Sequence, residues 1–267
     1  MDTITPITIT TMPANELYGI ILPLFGAAAA GLVGAFALMK RTILAGDVMS
    51  HIAIPGLGLA IIWRIDPLIG GGLTLFAGII LIWMLQRKTE LSAEAAIGVL
   101  FASSVALGAL LINSTEALVD ALFGGFGAIS LDQFIFGVAV SIFIVVALWV
   151  LRNKLILGLF SPELARSAGV NVDAINLWFL LLFGLAIIVS LRFLGALLVG
   201  SLIIIPASAA RQLTHTLGKF LIVSAVLAVA AVAVGFWIAS VYNLEPGATV
   251  VVTAAGFFVL SLFKKKD

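Results

Sequence analysis

Asp47 and His51 are two ionisable residues, four positions apart, in an otherwise apolar part of the chain. They lie in the stretch Gly-Asp-Val-Met-Ser-His-Ile-Ala-Ile-Pro-Gly at 46–56. Ionisable residues at membrane depth are costly and usually face a protein interior or a water-filled ion path. A helix would place residues four apart on one face, and a converging Asp and His are suitable ligands for a divalent transition metal. The alternative is a buried pair that only fixes helix packing.

One Asp and one His do not complete a coordination sphere, so the pair predicts that two copies of the chain share an ion across a two-fold axis. Two Asp and two His ligands suit zinc, and with waters or carbonyls they also suit manganese or iron(II). Pro55 and Gly56 follow one turn after His51 and are expected to kink or open the helix. Transport sites often lie beside such interrupted helices, because freed carbonyls can join the coordination.

Composition places this pair inside a membrane protein. Of the 267 residues, 63% are hydrophobic and 10% are charged, and the mean hydropathy is +1.27. No polar stretch is long enough for a separate soluble domain, and the absence of cysteine excludes disulfides and thiolate metal sites. The predicted fold class is an all-α, polytopic membrane helix bundle. We expect a polar extracytoplasmic tail at 1–16, one transmembrane domain at 17–263 and a basic cytoplasmic tail at 264–267.

Nine segments are candidates for membrane spans, which need about 20 apolar residues each. They are 17–38, 43–63, 67–86, 95–113, 133–151, 174–191, 193–210, 220–241 and 247–263. Only Arg192 separates the sixth from the seventh, so eight spans is the alternative count. If the N-terminus is outside, twelve Lys and Arg residues fall in inside loops, whereas only Arg64 and Arg192 fall outside. This bias predicts an external N-terminus and an internal C-terminus.

The longest predicted inside loop, 152–173, contains the signals of one short helix. Ser161, Pro162 and Glu163 supply a cap, a first-turn proline and an acid near the positive helix end, and Gly169 can end the helix. Such a helix is suited to docking another subunit, and an interfacial helix without a partner is the alternative. The chain has no Gly-x-x-x-x-Gly-Lys-Ser/Thr motif. Energy for pumping must therefore come from a partner chain or an ion gradient.

Four stretches, in this order, resemble the membrane permeases of zinc, manganese and iron ABC importers over nearly the whole chain. They are 46–56, Ala95-Ala96-Ile97-Gly98, the segment from Ser161 through Gly169, and Gly195 through Arg211 with Ile205-Pro206-Ala207 inside it. The resemblance implies a homodimer, two cytoplasmic ATP-binding subunits and an extracytoplasmic metal-binding protein. It also implies that Asp47 and His51 contact the metal. Glu163, Ala165 and Gly169 correspond to the segment that couples the permease to its ATPase.

A fainter similarity links Phe123-Gly124-Gly125-Phe126-Gly127 and Ile205-Pro206 to the larger cobalamin and iron-siderophore permeases. It implies a cobalamin-importer-like permease fold and leaves a bulkier substrate as an alternative. The expected function is an ABC permease for zinc or manganese, with iron(II) a third candidate, in a bacterial-type cytoplasmic membrane. The ion is cargo, so we expect no permanently bound cofactor and no catalysis in this chain.

The expected partners are the subunits named above and membrane lipid, with no nucleic acid. A further alternative is a gradient-driven secondary transporter that uses Asp47 and His51 as a proton relay. Such a protein would need no ATPase.

Overall fold

Helices are the regular elements in the part of the chain that the computed structural model describes, which is residues 14–42, 44–88, 93–112 and 129–263. They are α1 (Ala14–Met39), α2 (Leu44–Ile52), α3 (Ile54–Trp63), α4 (Pro67–Lys88), α5 (Ala93–Leu111), α6 (Leu131–Phe160), α7 (Pro162–Ser167), α8 (Val172–Leu213), α9 (Leu217–Tyr242) and α10 (Pro246–Leu262). The all-α prediction is confirmed, as expected where lipid cannot satisfy exposed backbone groups. The predicted tail at 264–267 and most of that at 1–16 lie outside the described residues.

Six of the described helical segments are long and apolar enough to cross a membrane. They are Leu17–Met39, Pro67–Leu85, Leu131–Phe160, Val172–Leu191, Leu194–Leu213 and Leu217–Tyr242. The other three predicted spans coincide with shorter apolar segments, Val48–Trp63, Ala95–Leu111 and Pro246–Leu262. The protein is therefore a multi-pass membrane bundle. Helix length and composition identify six candidate spans among the described residues, so the predicted count of nine is not confirmed.

Helix α6 is longer than the sequence predicted. Its start is specified by a capping box between Ser130 and Gln133. The predicted span ended at residue 151, but the helix continues to Phe160. Arg152 does not end it, because its guanidinium lies 4.2 Å from the ring centroid of Trp149 and the chain becomes apolar again after Lys154. The predicted loop at 152–173 is correspondingly shorter.

Helices α1 and α8 form the centre of the bundle. In the span windows, 72% of Leu17–Met39 and 65% of Leu194–Leu213 are buried. Helix α8 contacts α1, α2, α4, α6, α9 and α10. Small residues permit close packing here, as where the Ser224 hydroxyl of α9 donates to the Gly31 carbonyl of α1 at 2.6 Å. Helix α2 packs between this centre and α5, and this position sets the surroundings of His51.

Candidate functional site

Helix α2 carries both residues of the predicted metal pair, one turn apart. His51 lies next to the C-terminal end of α2 and is only 8% exposed. Its ring meets that of Phe101 on α5 edge-on, with the ring centroids 5.2 Å apart. The backbone of Asp47 lies on the preceding turn, and its side chain is outside the described part of the structure. Both positions therefore share one helix, and His51 is buried against α5.

The helical chain is interrupted at Ala53, directly after the turn that carries His51. Helix α2 ends at Ile52 and α3 begins at Ile54. Pro55 has no N–H, so it donates no helical hydrogen bond to the residue four positions earlier. Ala53 remains right-handed, with φ −72° and ψ −23°, and its N–H donates to the Ser50 carbonyl at 3.3 Å. The interruption is therefore a local loss of helical bonding, with Pro55 and Gly56 buried just beyond it.

A second interruption lies in α8 at Gly195 and faces the first. Gly195 has φ 68° and ψ 172°, a non-helical conformation that favours glycine. It lies at the beginning of the second of the two candidate spans in α8, Val172–Leu191 and Leu194–Leu213. The Ser50 hydroxyl donates to the Ala196 carbonyl at 2.6 Å, and both residues are fully buried. Since Ser50 adjoins His51 in sequence, this bond holds the predicted metal helix against the point where α8 opens.

One copy of the chain offers an incomplete set of metal ligands in its described part. Within the residues that the structure describes, no three His, Cys, Asp or Glu side chains come together. A tightly held structural zinc needs four protein ligands. Metal coordination by His51 would therefore need ligands from outside this described set.

The predicted coupling residues lie on and after α7, on a different element from the metal pair. Ser161 caps α7 by accepting from the Leu164 N–H at 3.4 Å, with Pro162 and Glu163 in the first turn. Gly169, with φ 76°, ends it in a Schellman arrangement in which the Val170 N–H donates to the Ala165 carbonyl at 2.8 Å.

The side chains of this segment divide into one anchor and an exposed face. Ala165 is fully buried, whereas Glu163 and Gly169 are exposed. Ala165 therefore fixes α7 against its own chain, where it contacts α6 and α8. Phe160 and Leu164 are 70% and 61% exposed, so an apolar surface accompanies the exposed face of this short helix.

A partly buried lysine joins the end of α1 to the beginning of α8. Lys40 lies in the turn after α1, and its ammonium donates to Asn176 Oδ1 at 2.7 Å. The same ammonium lies 4.7 Å from the ring centroid of Phe179. Burial lowers the pKa of Lys40 from 10.5 to about 8. Asn176 is in the first turns of α8, just after α7. This contact therefore connects the beginning of α8 to the turn that leads into α2.

Stability should depend on pH through Lys40. Between about pH 8 and 10.5 the unfolded chain keeps the Lys40 proton that the folded chain has lost, so the free energy of unfolding rises with pH in this window. Replacing Lys40 by methionine keeps the aliphatic stem and should flatten that rise. The measurement is thermal unfolding of both purified proteins from pH 7 to pH 10. Parallel curves for the two would contradict the prediction.

Sequence reasoning missed several residues that surround the predicted pair. Gly195 was identified from the sequence as the start of a stretch that resembles the permease family and not as a helix break, although the apolar run on both sides of Arg192 is too long for one span and indicates a break nearby. The Ser50 bond to Ala196 joins residues 146 positions apart. No local pattern indicates that bond, the Phe101 contact or the Lys40 bond to Asn176.

Comparisons with known proteins extend over almost the whole chain. Residues 17–265 match the ABC 3 transport family. The high-affinity zinc uptake system membrane protein ZnuB of Haemophilus influenzae is 31% identical over 258 residues, covering 94% of this chain and 96% of that protein. The manganese import system permease protein ScaB of Streptococcus parasanguinis is 30% identical over 237 residues, covering 88% of this chain and 85% of the relative.

A solved structure gives the same result for the fold. PsaBC from Streptococcus pneumoniae in complex with Fab has a TM-score of 0.84 and 26% sequence identity, and the match covers 96% of this chain and 93% of that chain. The resemblance drawn from the four sequence stretches is thereby confirmed. The chain belongs to the ABC 3 transport family.

Proposed function

We propose that this chain is the permease subunit of an ATP-driven importer that carries a divalent transition-metal ion, zinc or manganese, across the bacterial cytoplasmic membrane. The observation that carries the proposal is the position of His51, buried where the α2–α3 interruption meets the break of α8. The relatives named for zinc and manganese align with almost the entire chain, which supports the same class of cargo.

His51 suits this role through its chemistry and its surroundings. A neutral imidazole suits zinc and iron, and a carboxylate one turn earlier at Asp47 adds the harder oxygen ligand that manganese prefers. Interrupted helices supply backbone carbonyls that can replace part of the ion's water shell. Such a site binds strongly enough to select an ion and remains open enough to release it.

Two copies of the chain complete the site in this proposal. A two-fold axis beside α2 would bring together two copies each of Asp47 and His51, giving four ligands where one copy of the pair gives two. Nine spans, with the tail at 1–16 outside and that at 264–267 inside, would place α7 on the cytoplasmic side. The transmembrane domain at 17–263 would then be one unit between an external metal-binding protein and internal ATPases.

Helix α7 is the proposed contact with the ATPase. Its exposed face, with Glu163 and Leu164, would dock in a partner, while buried Ala165 transmits movement of the helix to the bundle. Gly169 lets the chain turn sharply from α7 into α8. Because α8 also packs on α2, a tilt of α8 at Gly195 would move the helix that carries His51.

Uptake by proteoliposomes tests the proposed function. The chain would be reconstituted with its ATPase and metal-binding protein, and accumulation of radioactive zinc and manganese would be measured with and without ATP. We expect accumulation that requires ATP, persists with a protonophore, and stops when the ATPase is replaced by a hydrolysis-deficient variant.

The competing functions give different results in the same assay. Accumulation that needs no ATP and collapses with a protonophore would identify a gradient-driven transporter. Transport of cobalamin or an iron-siderophore in place of the free ions would identify the bulkier substrate class. Either result would overturn the proposal.

A further inference from the structure

An apolar cavity lies between α1, α4, α6 and α8, apart from the His51 region. Its volume is about 360 Å³, which is in the range of small-ligand sites. Eleven of its thirteen lining residues are glycine or have hydrocarbon side chains, and the two polar ones are Asp66 and Gln133. Both polar residues belong to the beginnings of helices, Asp66 just before α4 and Gln133 in the first turn of α6. The cavity therefore has a long apolar body and one polar end.

The side of the cavity faces outward from the bundle. Ile69 and Leu73 of α4 are 58% and 67% exposed, and Phe136 of α6 is 68% exposed. These residues line the cavity and lie on two segments that can span a membrane. An apolar cavity of this kind excludes water, whereas lipid chains are as apolar as its walls. Hydrocarbon from the bilayer is the natural content of such a space.

The polar end is organised around the Asp66 carboxylate. Its Oδ1 accepts from the Leu68 N–H at 2.8 Å, and its Oδ2 accepts from Gln133 Nε2 at 3.0 Å. Gln133 is itself oriented, since its Oε1 accepts from the Ser130 N–H at 3.2 Å. A carboxylate has about four lone-pair sites, so two remain for a further donor. Among the residues whose side chains are described, none with a positive charge pairs with Asp66.

We propose that this cavity binds one phospholipid with a primary amine headgroup, of the phosphatidylethanolamine type. One acyl chain fills the apolar body, and the ammonium donates to the fixed Asp66 carboxylate. The second N–H of the Gln133 amide can donate to the lipid phosphate. A quaternary ammonium has no N–H for this bond, and an anionic glycerol headgroup would be repelled by the carboxylate.

Lipid retention measured by native mass spectrometry tests the proposal. The purified chain would be exchanged into nanodiscs containing equal amounts of phosphatidylethanolamine, phosphatidylcholine and phosphatidylglycerol, then released and weighed with its bound lipid. We expect one retained phosphatidylethanolamine per chain. Asp66→Asn keeps the size of the side chain and should lower the preference for this lipid by about tenfold, as loss of a charged hydrogen bond implies.

A second variant tests whether an acyl chain occupies the apolar body of the cavity, and it leaves the charge of Asp66 unchanged. Gly72 lines the cavity, and a Cβ there would lie 3.3 Å from Ile188 Cδ1. This contact is tight but involves only the end of a flexible side chain, so leucine at this position should take up part of the cavity. Gly72→Leu should lose the retained lipid. The matched control is Gly256→Leu on α10, because nothing lies within 4 Å of a Cβ built at Gly256.

Three results would overturn the proposal. The first is retention of the three lipids in the supplied ratio, and the second is an unchanged preference in Asp66→Asn. The third is that the native chain and Gly72→Leu both form dimers without bound lipid. That result would mean that a second copy of the chain covers the cavity.

Discussion

Metal accumulation is expected to fall by at least about tenfold when Asp47 is replaced by asparagine or His51 by alanine. Changing a residue that only hydrogen-bonds to a metal ligand typically lowers metal affinity or activity by about 10–100-fold, and loss of a ligand should have at least that effect. Asp47→Asn keeps the size of the side chain and removes its charge. His51→Ala removes a ligand from the junction of the two interrupted helices. The measurement is zinc and manganese uptake by cells with matched amounts of the complex in the membrane.

The uptake experiment separates a ligand role from a packing role. His51→Phe retains a ring beside Phe101 but has no nitrogen to offer an ion. If His51 binds the ion, His51→Phe should fail as His51→Ala does. The control is His215→Ala, because His215 is exposed in the turn between α8 and α9. Normal uptake by His51→Phe, or by Asp47→Asn, would mean that the replaced side chain only supports the fold.

Replacing Gly56 by alanine is expected to destabilise the protein by about 1–3 kcal/mol through overpacking. A Cβ at Gly56 would overlap the carbonyl oxygen of Gly70 on α4 and the Thr74 hydroxyl. Because the nearest obstacle is backbone, the two helices must separate. Thermal unfolding should shift by about 2–4 °C for each kcal/mol in a chain of this size. Uptake should also fall, since α3 continues directly from the helix that carries His51.

Gly256→Ala is the matched control for this substitution. It lies in the helix interior of α10 with nothing within 4 Å of a built Cβ. Alanine there should leave stability unchanged or raise it by up to about 1 kcal/mol, because alanine restricts the unfolded chain and favours helix. Equal melting temperatures for Gly56→Ala and the native chain would show that α3 and α4 separate freely, contrary to the prediction.

Local features of this structure were predictable from the sequence where the interaction partners are close in the chain. Helix α7 begins after Ser161 and ends before Gly169 as predicted, because its cap and its Schellman turn depend on residues within the segment. The predicted end of α6 was wrong, because the charged residue Arg152 was taken to mark the end of the helix. A long cationic side chain can instead lie along the helix, as Arg152 does over Trp149.

The candidate site was predictable only in part. The types and spacing of Asp47 and His51 indicate metal chemistry, and their role in transport stays a prediction. The position of Pro55 indicates an interruption of the helix, because proline always lacks the backbone N–H that a helical hydrogen bond needs. This property can be read from the sequence without knowledge of the fold. The facing break at Gly195 depends on where α8 crosses α2, and the Ser50 bond that joins them connects distant parts of the chain.

A multi-pass helical membrane protein with an ionisable pair in its second apolar segment can be derived from the amino-acid sequence, because hydropathy and helical spacing are local properties. Which faces of those helices meet depends on the packing of the whole bundle. Apolar residues surround most of these helices on every side, so no periodicity distinguishes a lipid face from a buried face. Close contacts of small residues and a few polar bonds, such as Gly56 on Gly70 and Lys40 to Asn176, make that choice.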